Sequence, residues 1–172
     1  MITEETYRRL YRMSDAAAPL PFDCGQICGA VCCRPEKGKE TGIWLLPGEA
    51  ALHEDGASMI RVKTGEDARM EELGFRFAEC TAPGPEQCVR ALRPIQCRSF
   101  PLWPYIDEDG ALELRWNDIE LGYACPLIES EAELDPTFRE TIRALWERLA
   151  GEPAIRAYLR ELSREAEAEE TL

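Results

Sequence analysis

Eight cysteines in a chain of 172 residues constrain this sequence more than any other feature: Cys24, Cys28, Cys32, Cys33, Cys80, Cys88, Cys97 and Cys125. So many thiols call for disulfides, metal ligation or redox chemistry, and the redox compartment separates the first two. The N-terminal stretch MITEETYRRLYRMSDAAAPLPF has no basic region followed by an apolar run, so no secretory signal is expected. No apolar run approaches the ~20 residues needed to cross a bilayer. The expected compartment is therefore the cytoplasm, where thiols stay reduced, and metal or cluster ligation becomes the leading expectation.

Composition bounds the rest. A hydrophobic content of 45% supports a packed core and excludes a disordered chain. Lys and Arg number 20 against 33 Asp and Glu, a net charge of −13. Phosphate-backbone recognition needs a basic surplus, so no nucleic-acid partner is expected, and an anionic membrane surface is disfavoured for the same reason. The length suits one domain, 1–172, with a cysteine-cluster region over 20–126 and a C-terminal helical pair over 135–170.

Local patterns give an α+β reading. Thr3 can cap a helix over 3–13 that places Tyr7, Leu10 and Tyr11 on one face. Residues 14–41 look loop-like, 43–46 extended, and Pro47-Gly48-Glu49 opens a short helix to about residue 54. Strands are expected around 59–62 and 75–77, with a short helix over 66–73 ended by Gly74. Residues 86–92 suit one or two helical turns stopped by Pro94. Pro101 to Pro104 reads as extended. Tyr105-Ile106, the turn Asp107-Glu108-Asp109-Gly110, and 112–116 read as a hairpin. Asp135-Pro136 caps a helix with the stripe Phe138, Ile142, Leu145, Trp146 and Leu149, ended by Gly151. Pro153 opens a second helix with Ile155, Tyr158, Leu159 and Leu162 on one face and an acidic tail, 165–170, expected to fray.

The first cysteine group is Cys24-Gly-Gln-Ile-Cys28-Gly-Ala-Val-Cys32-Cys33. At ~100° per residue a continuous helix would spread Cys24, Cys28 and Cys32 over about 80° and put Cys33 about 180° from Cys24. Four sulfurs then cannot meet one ion. A loop around a metal fits better, with Gly25 and Gly29 letting backbone amides approach the sulfurs. Alternatively, Cys32 and Cys33 serve different sites. Cys80, Cys88 and Cys97 form the second group, in loops stiffened by Pro83, Pro85 and Pro94, and Cys125-Pro126 follows. A proline after the last ligand recurs in ferredoxin-type loops. Four thiolates around a divalent ion or a 4Fe–4S core leave a net charge of about −2. Arg34, Arg90, Arg93 and Arg98 stand beside the cysteines, and Arg93 and Arg98 are the expected groups that offset that charge.

A larger pattern joins these pieces: the vicinal cluster ending Cys32-Cys33, then Gly42-Ile43-Trp44-Leu45-Leu46-Pro47-Gly48-Glu49, then Cys80 and Cys88, then Arg93-Pro94-Ile95-Gln96-Cys97-Arg98-Ser99-Phe100-Pro101. It resembles the YkgJ-type cysteine-cluster family, described as a zinc- or iron-chelating domain, over about residues 20–126. The first group departs from the family's closer spacing, with three residues between ligands in place of two. The resemblance implies metal or cluster binding. Flagellin lysine methylases contain a similar cluster, so an enzyme that modifies a protein or small molecule is the alternative, by analogy alone.

The residues themselves leave the metal open. Zinc knuckles use C-x2-C pairs, and this chain has none. All-cysteine ligation and Cys-Pro favour an iron–sulfur cluster, with zinc the alternative, structural or electron-carrying in either case. Metal binding at ~10–16 kcal/mol rivals a domain's total stability of ~5–15 kcal/mol. Stripping the metal should therefore unfold the cysteine region while the C-terminal helices survive. His53, the single histidine, reads as an exposed residue beside Glu54 and Asp55. Trp44, Trp103, Trp116 and Trp146 read as core or shielding residues. The sequence offers no defensible catalytic residue and names no protein partner.

Overall fold

The computed structural model describes residues 2–22, 24–33, 42–54, 59–82, 88–117 and 124–170. It is an α+β domain with short antiparallel strands and two C-terminal helices. Helix α1 spans Glu4–Ser14, and Thr3 caps it by accepting the Thr6 amide at 3.3 Å. Its buried stripe is Tyr7, Leu10, Tyr11 and Ser14. The segment expected to be loop throughout contains a helical turn, α2, at Gly25–Cys28, and a 3-10 turn at Val31–Cys33. Gly29, at φ 65, ends α2 in the left-handed region that costs glycine nothing.

Three strands follow: β1 at Gly42–Leu45, β2 at Ile60–Val62 and β3 at Arg76–Cys80, with β3 central and both neighbours antiparallel to it. A side chain at Gly42 would put its Cβ 2.2 Å from the Phe77 ring, so this strand position requires glycine. The helix expected over 47–54 is a 3-10 turn, Glu49–Leu52, and β3 runs on to Cys80, three residues beyond the alternation that signalled it. Helix α3, Ala68–Glu72, is capped by Asp67 and precedes the fully buried Phe75.

Pro94 precedes a helix that the sequence reading missed, α4 at Ile95–Ser99; the part of the expected 86–92 turns that falls on 83–87 lies outside the described residues. A 3-10 turn at Arg90–Leu92 leads into it. The hairpin pairs β4, Leu102–Ile106, with β5, Leu112–Trp116. Its turn is closed by the Asp107 carboxylate accepting the Ala111 amide at 2.7 Å. Pro104 is tolerated because each strand of a two-stranded ribbon has an edge.

A short helix, α5, spans Pro126–Glu129. Helices α6, Pro136–Leu149, and α7, Pro153–Glu170, cover the hairpin. Asp135 caps α6 as expected, through the amides of Thr137 and Phe138. The acidic tail stays helical to Glu170, where fraying was expected. Glu167 accepts the Tyr105 hydroxyl, and Ser163 accepts the Ile106 amide at 2.9 Å, so β4 docks on this helix. The main core joins α1, Leu46, Phe75, Ile95, the hairpin and α5 to α7, while Leu45, Ala50, Ile60 and Ala78 form a smaller one under the sheet. No helix among the described residues is long and apolar enough to cross a membrane.

Candidate functional site

The polar centre of this molecule is buried. Gly48, at φ 90, turns the chain after β1 and sends Glu49 inward, where the residue is 0% exposed. Its Oε1 accepts the Tyr11 hydroxyl and the Ile95 amide, each at 2.7 Å, and its Oε2 accepts the Leu46 amide at 2.9 Å. Three donors from three segments thus meet one carboxylate. Burial raises the Glu49 pKa above the ordinary range; the Tyr11 bond, the two amides and Arg98 pull it back.

His53 corrects the sequence reading. It is 4% exposed, and its Nε2 lies 3.1 Å from the Tyr11 hydroxyl. Since Tyr11 donates its proton to Glu49, its oxygen is left to accept the His53 Nε2–H. Burial first, then the Arg98 charge, lowers the His53 pKa to about 4. The same burial, reinforced by Glu49, holds the Tyr11 hydroxyl far above its ordinary range. The exposed position had been read from the neighbouring acidic residues, but a turn buries a face by what packs on it, and α1 packs here.

Arg98 is the largest fully buried side chain. Its Nε donates to the Arg93 carbonyl at 2.6 Å, and its Nη2 to the carbonyls of Arg90 and Ala91 at 3.0 and 2.8 Å. Its Nη1 donates to the Tyr11 carbonyl and the Ser14 hydroxyl at 3.1 and 3.3 Å. All five guanidinium N–H groups are committed in a way that only a planar fork allows. The guanidinium also lies 4.3 Å from the Tyr11 ring centre and 3.6 Å from the Asp15 carboxylate. Burial pulls the Arg98 pKa down, and Tyr11 and Asp15 raise it again.

These buried groups hold Cys88 and Cys97 of the second cysteine group. Cys97 is exposed on α4, the helix that Glu49 anchors at Ile95. Half-buried Cys88 precedes the turn whose carbonyls Arg98 gathers, and its Sγ accepts the Arg93 Nε–H at 3.0 Å. Arg90 donates from the same turn to the Asp15 carbonyl at 2.7 Å and to that of Ala17, tying it to the segment that leads to Cys24.

The other cysteines stand on several elements. Cys24 stands at the cap of α2 and packs partly buried on the main core, with Cys28 closing the same turn. Cys32 is exposed in the 3-10 turn, and the Cys33 side chain lies outside the described residues, as does Arg34. Cys80 is exposed at the end of β3, opposite Ile60. Cys125 is buried in the main core, and Pro126 behind it is the first residue of α5. Among the described residues, no three His, Cys, Asp or Glu side chains converge on a metal-holding point.

The sequence reading singled out Arg93 and Arg98 and missed the buried grouping of Glu49, Tyr11 and His53. One signal was present. Tyr7 and Tyr11 lie four apart on the apolar face of α1, and a buried phenol needs a hydrogen-bond partner. Tyr7 finds the Pro47 carbonyl at 3.1 Å, and Tyr11 finds Glu49. No protein-family model, curated protein or solved structure matches the chain.

Proposed function

We propose that this chain binds a metal centre through cysteine thiolates, an iron–sulfur cluster in first place and zinc in second, in the reducing cytoplasm. The observation that carries the reading is the Arg93 Nε–H on Cys88 Sγ. A guanidinium donor within hydrogen-bond reach of a cysteine sulfur is the kind of outer contact that orients a metal ligand. All-cysteine donors without a C-x2-C pair favour iron–sulfur over a zinc knuckle. The resemblance to the YkgJ-type cysteine-cluster family supports the same chemistry. A bound cluster would supply one-electron transfer, and zinc a cross-link; the chain's contribution is to hold thiolates and place Arg93 against one of them.

The test is metal and acid-labile sulfide analysis of anaerobically purified protein, with a visible spectrum. Iron and sulfide in equal amounts, with a brown band near ~400 nm, are expected. One or two zinc per chain without sulfide would replace the cluster by zinc, and neither metal would overturn the reading. Cys97→Ser and Cys33→Ser should each lower metal content and solubility; unchanged stoichiometry in both would remove these cysteines from the ligand set.

A further inference from the structure

We infer that Arg98 is the positioning residue of the thiolate site and that it acts with no metal present. The inference rests on the reading of Cys88 as a ligand, but its geometry stands without it. Three carbonyls within four residues, those of Arg90, Ala91 and Arg93, turn toward one buried guanidinium. Backbone bonds from Leu92 to the Val89 carbonyl and from Arg93 to the Arg90 carbonyl close the turn, and the guanidinium offsets the repulsion among the three carbonyls that face it. Arg93 sits in that turn, and its own Nε–H reaches Cys88 Sγ. On its far side Arg98 grips the C-terminal end of α1 through the Tyr11 carbonyl, where a cation is favoured by the helix dipole. The helix that carries Arg98 is pinned at its first residue by Glu49. A continuous line therefore runs from buried Glu49 through α4 and Arg98 to the turn, to Arg93 and to the sulfur. Each link is a protein–protein bond. The half of the site bearing Cys88 and Cys97 is built before a metal arrives, and Arg98 is its central link.

Arg98 touches no reacting group in this scheme, so loss of binding alone would not separate positioning from stability. The experiment compares three full-length proteins: wild type, Arg98→Lys, and Leu149→Ala. The last opens a cavity in α6, at a residue fully buried in the main core. Co2+ is titrated into reduced, metal-stripped protein, and thiolate-to-cobalt absorption is read. Arg98→Lys keeps the charge but loses the fork, and should bind Co2+ about 10–100-fold more weakly. Leu149→Ala should bind within about twofold of wild type. Equal weakening of the two variants, or no weakening in either, would overturn the positioning role.

Should Arg98→Lys fail to fold, the wild type decides alone. The Arg98 and Arg93 side-chain Nε–H groups of the metal-free protein should exchange with solvent at least about tenfold more slowly than that of exposed Arg12. Exchange as fast as Arg12 would show that the clamp forms only with metal, and the inference would fall. A wild type that takes up neither Co2+ nor iron and sulfide would sink the reading under Proposed function, while the exchange rates would still judge the clamp.

Discussion

Residues 24–33 and 88–98 carry six of the eight cysteines, and they are ordered in different ways. The first stretch is shaped by short-range bonds, Ile27 N–H to the Cys24 carbonyl and Ala30 N–H to the Gly25 carbonyl, both at 3.0 Å, and by the left-handed turn at Gly29 and Ala30. The second has short-range bonds of the same kind, Leu92 N–H to the Val89 carbonyl at 2.9 Å and Arg93 N–H to the Arg90 carbonyl at 3.0 Å, and adds charged side chains from the core. Arg98 reaches a carbonyl 87 residues earlier, and Glu49 reaches the Ile95 amide 46 residues later. Cysteines are thus presented on two kinds of backbone. A local turn costs little to form and little to lose, whereas a carboxylate or guanidinium stripped of its partners in the core is expensive. If the proposed metal binds, 88–98 is the half of the site ordered without it, and metal contributes more to the order of 24–33.

The largest effect should come from Glu49→Ala. It strands the Tyr11 hydroxyl and two amides in the core, for a loss of about 3–5 kcal/mol. Urea unfolding measures this, and a loss below about 1 kcal/mol would remove the basis of the comparison.

Stripping the metal sharpens it next. Amide exchange should keep Ile95 and Arg98 protected while residues 24–33 lose about tenfold or more. Equal loss in both stretches would return the molecule to the simpler expectation, in which metal folds the whole cysteine region.

A smaller effect concerns pH. The native His53 pKa of about 4 lies below its ordinary 6.5. As pH falls, the unfolded chain takes the proton first, so this contribution is complete above about 6.5 and lost on the way to 4. Glu49, raised by burial, has the opposite sign and contributes more at low pH. His53→Asn isolates the histidine: wild type should lose about 1–3 kcal/mol more than the variant between pH 7 and pH 4.5. Parallel stability curves would show that the ring is not held neutral.

The smallest effect should be that of Thr3→Ala. Losing the α1 cap costs about 0.5–1 kcal/mol and should leave metal content unchanged. A fall in metal content would show that the far end of α1, and not just its Tyr11–Ser14 end, governs the site.

Much of the fold was legible because its signals are local. The apolar stripe of α1, the Asp135-Pro136 start of α6, the Asp107–Gly110 hairpin turn and the pair of C-terminal helices follow from spacing and capping within a few residues. Helix α4 was hidden because its five residues are too few to show a period, and Pro94 reads equally as a stop or a start. The candidate site was half legible. Cysteine count and the arginines beside them pointed to 88–98, while His53 gave no pattern of its own and neither the motif ending in Glu49 nor the stripe holding Tyr11 showed that the two would pair.

The sequence by itself determined the longer helices and the hairpin, the acidic character and the concentration of thiols, because composition and short-range periodicity are properties of neighbours along the chain. Only the tertiary structure decided which polar residues are buried. A glutamate, a histidine and an arginine carry the same preference for water wherever they stand. Glu49, His53 and Arg98 lie in the interior because partners 38 to 87 residues away replace that water, and such partners exist only once the chain has folded.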